Sequence, residues 1–539
     1  MNTDLVIKSS SIFDSKDDEP FSGYVAIKDN RITAVGKGDV DGNFISPHTK
    51  VIDAGNKTVM AGFHDSHVHL LMAGMYREYV NLIDARSEDE AARMVKEFAD
   101  KDPDNEGWVI GFSWYHVFWD NRTLPTKASL DKYFPHRPVF LLNAEAHGGW
   151  VNSKALEIAG VTKDTKAPFG GEIVKDENGE PTGFLNESAA GLVTRHALEF
   201  TVEREKELIR SYMEGAAQYG ITALNDVQPY FHGNMGNVDV YHEMDADSEL
   251  TVRLHVAPDL LGDLDQICKW RDNYKSDKLR VDMAKQFLDG VCTTHTALML
   301  DEYTDDPGNF GIELNDIKSI AAAVPKAHAK GLSVKLHCCG DASARMALDA
   351  VEEAIDQNGK NECRHAIEHC ELISSSDIPR FGKLGVIPSV QPEHIALTQI
   401  FEENPYPVVL GKERADKTWP LKDLLDSVGV LAIGSDCPVV DNNPFLEIYR
   451  AVTRLHNDGE PKGGWNPSQK LTLAEVLKSY TYGSAYGVRR ENEMGSLSQG
   501  NYADIVILDR DIFNIPDSEL IDCKADMTIM DGNVIFERE

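Results

Sequence analysis

The stretch Ala61-Gly-Phe-His-Asp-Ser-His-Val-His-Leu70 decides how the rest of the chain is interpreted. The apolar run from Thr58 to Ala61 leads into it and predicts a strand. Side chains alternate between the two faces of a strand, so His67 and His69 point the same way, with Cβ atoms about 6–7 Å apart. Two neutral imidazoles at that spacing suit zinc or a similar divalent ion, and the adjacent Asp65 and His64 are candidates to orient them. Because an isolated His-x-His motif is common at ordinary strand ends, the metal hypothesis depends on residues further along the chain.

Composition and charge narrow the class of protein. The chain has 539 residues, of which 42% are hydrophobic and 26% charged, as is typical of a soluble globular protein with a large core. Acidic residues outnumber basic ones by 88 to 54, and the formal net charge is −34. This balance argues against a nucleic-acid partner, which needs a basic face, and against an anionic membrane surface. We therefore expect a small-molecule substrate, and a homo-oligomer is compatible with the composition.

Targeting signals and cysteine spacing predict a cytoplasmic protein. The first residues lack a basic segment followed by a long apolar core, so no signal peptide is visible. No stretch approaches the 18 or so apolar residues that a membrane span requires. The eight cysteines have no disulfide-framework spacing and no Cys-x-x-Cys motif, which favours a reduced compartment.

Both ends of the chain are rich in predicted strands. The amino-terminal region contains Leu5–Lys8, Gly23–Lys28 and Arg31–Gly36, and the carboxyl-terminal region contains Ala503–Leu508, Met527–Met530 and Asn533–Phe536. Asp29-Asn30 and Asp531-Gly532 supply tight turns within these regions. We predict one small β-sandwich domain composed of residues 1–58 and 490–539.

The long middle of the chain, residues 59–489, predicts an α/β fold of the TIM type. From about residue 205, apolar strands alternate with helical patterns such as 341–357 and 444–455. The predicted strands are 221–226, 250–257, 281–289, 332–337, 364–369, 386–391 and 430–436, in addition to the strand before His67. Eight such units are the number in a (β/α)₈ barrel. Residues of about 75–215 have a different, aromatic-rich texture, and we predict that they form a long insertion after strand one.

The predicted strand ends carry the residues with metal chemistry. The active site of such a barrel lies at the carboxyl ends of its strands. Strand one ends in His67 and His69, and strand four carries Lys285. The remaining candidates end strands five, six and eight; they are His337, His369 and Asp436. Four histidines and an aspartate at one rim are difficult to explain as packing, so we predict a metal site formed by all six residues.

The motifs at these strand ends resemble those of the amidohydrolase superfamily. They are Gly-Phe-His-Asp-Ser-His-Val-His, the Glu368-His369 pair and Gly434-Ser-Asp-Cys-Pro438. The Trp-rich insertion, His147-Gly-Gly-Trp, Glu180-Pro-Thr-Gly and Lys285-Gln-Phe-Leu-Asp-Gly290 are similar to the family-3 branch, which includes N-substituted formamide deformylase. The resemblance extends over essentially the whole chain and implies zinc or another divalent ion, one or two per chain.

Lys285 differs from the other five residues in its charge. A bare ammonium would be repelled by a metal pair, and in relatives with a lysine on this strand the amine is carboxylated to an anionic carbamate that bridges two ions. The resemblance therefore implies a carboxylated Lys285. Two alternatives remain open: a bridging carboxylate from Glu187, or a single metal ion.

The function that follows is hydrolysis of a carbon–nitrogen bond in an amide, formamide or cyclic amide. A divalent ion lowers the pKa of its bound water, and the resulting metal-bound hydroxide attacks the carbonyl carbon. Asp436 is the candidate catalytic residue, which takes the proton of the water and passes one to the leaving amine. Trp114, His147, Glu187 and His295 are candidates for the substrate pocket, although a plain core position is an equal alternative for the tryptophan. A deaminase of the same superfamily and a non-catalytic metal-binding regulator are the alternative functions.

Overall fold

A computed structural model describes residues 3–40, 42–102, 107–144, 148–168, 170–230, 233–398 and 400–539. The chain divides into two compact units. Unit one contains residues 1–69, 213–228 and 237–539, and unit two contains residues 70–212 and 229–236. No helix within the described ranges is both long and apolar enough to cross a membrane.

Unit one is organised around eight parallel strands, each with one counterpart in the sequence prediction. Numbered one to eight in chain order, they are Phe63–Val68, Ile221–Val227, Arg253–Ala257, Met283–Phe287, Ser333–Cys338, Ala366–His369, Ile387–Val390 and Ala432–Ile433. Strands one to three pair in order in one parallel sheet, together with Leu279–Arg280, and strands four to eight pair in order in a second. Most of these residues are buried on both faces, as expected for strands covered by helices.

Two isolated parallel bridges connect these sheets. Asp259 pairs with Lys285 between strands three and four, and Val68 pairs with Cys437 between strands one and eight. The helices that alternate with the strands in sequence are Val202–Gln218, Val238–Ala246, Leu264–Asn273, Ile317–Ala329, Asp341–Asn358, Ile378–Leu384, Leu421–Val428 and Pro444–Thr453. Shorter helices occur at Tyr406–Val409, Lys412–Ala415, Leu473–Lys478 and Ser484–Gly487. Unit one is thus a mixed α/β structure, as the sequence predicted.

The two ends of the chain combine in one eight-stranded sheet. Its hydrogen-bonded order is Asn533–Glu537, Ala525–Met530, Ile505–Leu508, Thr58–Ala61, Leu5–Phe13, Phe21–Lys28 and Arg31–Lys37, with Lys50–Asp53 paired to the strand Leu5–Phe13. Its apolar residues, including Ile7, Ile27, Val59, Ile505 and Ile529, form one buried cluster.

The position of Thr58–Ala61 in this sheet corrects one sequence prediction. We expected this run to be the strand that leads directly into His67, but strand one is the separate segment Phe63–Val68. The break falls at Gly62, where a Cβ atom would overlap the side chain of Thr222. Only glycine allows the backbone to pass this close to strand two, so the chain leaves the terminal sheet here and enters the parallel sheet.

A buried arginine joins strand three to the carboxyl-terminal strands. The guanidinium of Arg253 donates to both oxygens of Asp504, at 2.6 and 2.9 Å, and to Asp531 at 2.6 Å. The Arg253 side chain is fully buried. Removing one partner of such a pair is strongly destabilising because it leaves an uncompensated charge, so this contact fixes the terminal sheet relative to the parallel strands.

Unit two contains a six-stranded sheet in the order Gly171–Lys175, Pro181–Glu187, Gly148–Val151, Val139–Asn143, Val109–Trp114 and Val80–Asn81. Its helices are Leu70–Glu78, Glu88–Ala99, Lys127–Asp131, Ser153–Ala159 and Gly191–Ala197, and Pro229–Tyr230 pairs with Gly233–Asn234. The core of the unit contains Trp114, Trp119, Trp150 and Phe184. Aromatic burial of this kind stabilises a small sheet through both area and ring–ring contacts.

Candidate metal centre

Strands one and eight are joined tightly where the candidate ligands begin. The buried carboxylate of Asp65 accepts hydrogen bonds from the backbone N–H of His67 at 3.1 Å and from the backbone N–H and hydroxyl of Ser435 at 2.9 and 2.6 Å. A Cβ atom at Gly434 would overlap the backbone nitrogen of His67, so glycine is required for this approach. Asp65 therefore acts on the backbone of the motif rather than on an imidazole.

Asp436 lies at the centre of the imidazoles that the sequence singled out. Its Oδ1 atom is 3.3 Å from His67 Nε2 and 3.4 Å from His69 Nε2, and its Oδ2 atom is 4.0 Å from His369 Nδ1. One donor atom each from His67, His369 and Asp436 lies within 4.8 Å of the others. Ligands of one tetrahedral zinc ion are separated by about 3.3 Å, so this spacing fits a metal centre.

His337 joins the same group of rings through His369. The ring centroids of His337 and His369 are 4.3 Å apart, and those of His67 and His369 are 4.9 Å apart. All of these side chains are buried. The structure thus brings together the four histidines and the aspartate that lie, in sequence, at the ends of four different strands.

Two of the candidate ligands have strained backbones. His369 has φ of +72° and Asp436 has φ of +61°, in the left-handed region that residues other than glycine seldom adopt. Such conformations raise the energy of the folded chain and concentrate at functional sites. Their occurrence at both strand ends is independent support for a functional centre.

Carboxylates fix the proton position on two of the imidazoles. Nδ1 of His67 is 2.5 Å from Glu368 Oε2, and Nδ1 of His337 is 3.1 Å from Asp289 Oδ1. Because a carboxylate accepts a hydrogen bond, each Nδ1 carries the proton and each Nε2 keeps a free lone pair. A carboxylate behind a histidine is the usual arrangement for a metal ligand, so both rings are prepared to bind an ion through Nε2.

Burial and charge keep the ligand atoms in the forms that a metal needs. Burial lowers the pKa of His69 and His337, and burial together with the neighbouring His337 lowers that of His369 well below its usual value. These rings are neutral at physiological pH. Burial alone would raise the pKa of Asp436, but its interactions with the surrounding histidines, His67 foremost, outweigh burial and hold the pKa well below its ordinary range. The set therefore offers neutral nitrogens and an ionised carboxylate.

The two lysines on strands four and five have different environments. Lys335 Nζ is 2.5 Å from Glu368 Oε1 and donates to the carbonyl of Ser66 at 3.2 Å. Lys285 is fully buried, and its Nζ has no hydrogen-bond partner in the described part of the chain. The atom lies over the ring of Phe287, at 4.9 Å from the centroid. Burial lowers the pKa of Lys285 to about 8, although Glu368 and Asp436 oppose this effect.

Comparison with known proteins identifies the class of this centre. Residues 50–536 match the amidohydrolase family. The chain belongs to the amidohydrolase family. It is 33% identical to Protein LONG AFTER FAR-RED 3 of Arabidopsis thaliana over 94% of this chain and 87% of that protein. It is 26% identical to N-substituted formamide deformylase of Arthrobacter pascens over 95% of both chains.

Solved structures agree with this assignment. A metal-dependent hydrolase from Pyrococcus furiosus superposes with a TM-score of 0.73 and 26% identity, covering 94% of this chain and 99% of that chain. The chain is accordingly a metal-dependent amidohydrolase, a class that acts on carbon–nitrogen bonds other than peptide bonds. The family and the enzyme class predicted from the sequence are confirmed.

The structure adds residues to the amidohydrolase centre that the sequence analysis did not assign. Asp289 and Glu368 orient the rings of the candidate ligands His337 and His67, and Lys335 forms an ion pair with Glu368. His394 follows strand seven and places Nε2 at 3.6 Å from Asp436 Oδ2. A usable signal existed for His394, which lies just past the end of a parallel strand, where active-site residues are expected.

The predicted pocket residues lie in several places. Trp114 is wholly buried in unit two and donates its indole N–H to the carbonyl of Leu141, which favours the core interpretation over the pocket one. Glu187 ends the strand Pro181–Glu187 of unit two, and its role as an alternative bridge stays a prediction. His295 follows strand four in unit one and places Nε2 at 2.8 Å from Asp305. His147 lies outside the described residues.

A second His/Cys cluster, formed by His328, Cys363 and His365, resembles a metal site in composition but not in hydrogen bonding. His365 Nδ1 accepts from the backbone N–H of Val334 at 3.1 Å, so its proton is on Nε2. That Nε2 lies 2.8 Å from His328 Nδ1, and His328 Nε2 is 2.8 Å from the carbonyl of Gly359. Both imidazole lone pairs are engaged, and the cluster is a hydrogen-bonded clasp. Neither imidazole keeps a lone pair for a metal, in contrast to Nε2 of the candidate ligands His67 and His337.

Proposed function

We propose that this amidohydrolase cleaves the carbon–nitrogen bond of an amide, formamide or cyclic amide, with zinc or a similar divalent ion held by His67, His69, His337, His369 and Asp436. The observation that carries the proposal is the convergence of neutral imidazoles on an ionised carboxylate, with Nε2 of His67 and His337 made available by Glu368 and Asp289. The name of the Arthrobacter pascens relative supports including formamides among the substrates.

The proposal includes a closed (β/α)₈ barrel. The two parallel sheets and the two bridges, Asp259 to Lys285 and Val68 to Cys437, support one ring of eight strands in chain order. In such a ring the carboxyl ends of all strands face the same side, which is where active sites form. The ligands from strands one, five, six and eight then belong to one mouth.

Within that mouth, Asp436, Glu368 and Asp289 have separate roles in the proposed reaction. When bound, a divalent ion polarises the carbonyl and lowers the pKa of a water to about 7. Asp436 is the group that receives the proton of that water and delivers it to the leaving nitrogen, because its Oδ2 lies farther from the histidine nitrogens, at 3.6 and 4.0 Å, than Oδ1, at 3.3 and 3.4 Å. Glu368 and Asp289 prevent rotation of His67 and His337 during this exchange.

Lys285 is the residue that we propose to be carboxylated. Its Nζ is buried without a hydrogen-bond partner in the described structure, whereas Lys335 is already paired with Glu368. The ammonium first loses one proton to solvent, the free Nζ lone pair then forms a bond to the carbon of CO₂, and a second proton leaves the nitrogen, so that a cation becomes an anionic carbamate. This change replaces repulsion of nearby metal ions by attraction.

The test is a substrate panel with metal-loaded protein. N-formyl amines, N-acyl amines and cyclic amides are compared with amino-substituted heterocycles, and carboxylate, amine and ammonia products are measured separately. We expect metal-dependent release of an amine and a carboxylate from at least one amide. Ammonia release from the heterocycles alone would identify a deaminase instead, and retention of metal with no turnover of any compound would favour a non-catalytic role.

A further inference from the structure

We propose that His394 is a catalytic residue that donates a hydrogen bond to the carbonyl oxygen of the substrate, and that it is not a metal ligand. The proposal rests on the hydrolase function above and assigns a role at the same site. His394 lies in the 3₁₀ turn Pro392–Ala396, immediately after strand seven, and its side chain is buried.

The position of His394 complements that of the other histidines. His67 and His69 approach Oδ1 of Asp436, whereas His394 Nε2 lies 3.6 Å from Oδ2. Two groups separated by this distance can both contact a single atom that lies about 3 Å from each, which is the geometry needed at a reacting centre. The substrate carbonyl is therefore expected to lie beside Oδ2, within reach of the proton shuttle and the imidazole together.

His394 differs in position from the candidate ligands. Its ring is nearly parallel to that of His369, with centroids 5.9 Å apart. Its Nε2 approaches Oδ2 of Asp436, whereas His67 and His69 approach Oδ1. That Nε2 has no hydrogen-bond partner in the described structure, so it is available to a substrate oxygen.

A buried ion pair holds the turn that carries His394. Both oxygens of Glu393 accept from the guanidinium of Arg450, at 2.8 and 3.2 Å, and the backbone N–H of Glu393 donates to Glu447 Oε2 at 2.7 Å. Both partners of the pair are buried. Such pairs contribute little net stability because both charges lose water, so their presence next to His394 is consistent with positional accuracy.

The chemistry assigned to His394 is a hydrogen bond without proton transfer. During hydrolysis, negative charge develops on the carbonyl oxygen, and a fixed N–H donor that meets this charge stabilises the transition state more than the substrate. Removal of one such donor typically lowers kcat by about 10²–10³-fold. Asp436 still moves the proton from water to the leaving nitrogen, so the overall balance of atoms is unchanged.

The experiment compares His394→Leu, which removes the donor, with His394→Gln, whose amide N–H has a similar reach. Metal content, kcat and KM for the best amide of the panel, and the affinity for methylphosphonate are measured for each. Methylphosphonate is a tetrahedral anion and reports contacts to a charged oxygen without turnover. We expect wild-type metal content in both variants. In His394→Leu, kcat should fall about 10²–10³-fold, with a smaller change in KM and about 10–100-fold weaker methylphosphonate binding; His394→Gln should recover part of each loss.

His242→Leu is the matched control, because this histidine packs on Tyr274, with centroids 3.9 Å apart, and belongs to no proposed site. Loss of metal in both His394 variants would make the residue a ligand and overturn the proposal. Unchanged kcat and methylphosphonate affinity would overturn it as well, while the proposed function survived. If the wild-type enzyme cleaves no amide but binds methylphosphonate through His394, the hydrolase proposal fails and the contact stands. Absence of both activities would refute both.

Discussion

Replacing Asp289 by asparagine tests whether the carboxylates behind the imidazoles prepare the metal centre. The Asp289 side chain accepts five hydrogen bonds. Oδ1 accepts from His337 Nδ1 at 3.1 Å and from the Cys339 N–H at 3.2 Å. Oδ2 accepts from the Leu298 and Gly340 N–H groups, both at 2.9 Å, and from the Ser343 hydroxyl at 2.6 Å. Every neighbour is a donor, so an amide nitrogen at either position meets groups that cannot accept from it in their present form.

The amide introduced by Asp289→Asn can adopt two orientations, and the less unfavourable one predicts how much metal affinity and stability are lost. The amide oxygen keeps the three donors at the Oδ2 position, and the NH₂ group then faces His337 and Cys339. His337 can accept only by moving its proton from Nδ1 to Nε2, which removes the lone pair that a metal would use. We expect metal affinity to fall about 10–100-fold, or about 1.4–2.8 kcal/mol. The unpaired N–H of Cys339 should lower the free energy of unfolding by a further amount of about 1–3 kcal/mol.

The assay is competition for zinc with a chromophoric chelator, combined with thermal unfolding of the metal-free protein. Ser343→Ala is the matched control, because it removes one donor from the same carboxylate without changing the proton position on His337. We expect it to lower stability but to keep the metal affinity of the wild type. Wild-type affinity in Asp289→Asn, or an equal loss of affinity in Ser343→Ala, would refute the tautomer argument.

Three further predictions concern other residues. Asp436→Asn, which tolerates the positive φ, should keep its fold and at least one metal ion, while kcat falls by about 10²–10⁴-fold and KM changes much less; near-native turnover would make Asp436 only a ligand or a structural residue. Lys285→Ala should lose metal and activity and regain part of both with short-chain carboxylic acids, whereas His365→Ala, in the hydrogen-bonded clasp, should keep its metal by elemental analysis. Burial raises the pKa of Glu205 from 4.5 to about 7, so the folded state binds more protons and the free energy of unfolding decreases as pH rises between these values. Glu205→Gln should therefore increase the free energy of unfolding at about pH 8 by about 1 kcal/mol, a figure reduced for the partial exposure of the side chain, and so raise the Tm. At about pH 4 the Tm should be unchanged. An equal shift at both pH values would show that ionisation is not the cause.

The candidate ligands could be selected from the sequence because each is recognised by its local pattern. His67 and His69 are two residues apart on an extended segment, and a polar residue at the end of an apolar run is visible without knowledge of the neighbouring strands. The roles of Asp289 and Glu368 were not predictable in the same way. Each acts on a histidine of a different strand, and only the register between strands shows which ring it meets.

The remaining differences also have physical causes. Thr58–Ala61 is as apolar as the strands of either sheet, so its composition does not predict which sheet it joins. Its partners in the terminal sheet, Ser11–Phe13 and Ile505–Ile507, are remote in sequence, so the local pattern contains no sign of them. The tryptophan at position 114 suits a pocket or a core equally well by composition, and its burial depends on Trp150 and Phe184, which lie far along the chain. Local pattern predicts which residues have chemistry, whereas contacts between distant segments decide what each of them touches.

The pairing of Thr58–Ala61 with Ile505–Ile507 has a consequence for the order of events during synthesis. The strand Thr58–Ala61, which precedes the candidate ligands His67 and His69, lacks one of its two neighbours until residues near 507 have left the ribosome. The partner of Arg253, Asp504, emerges at the same late stage. Since contacts between remote segments form late, a nascent chain that has already exposed His67, His337 and Asp436 is not yet able to hold them in place. We expect metal binding to be one of the last steps in maturation, and a ribosome-bound chain that ends near residue 490 to contain no metal ion.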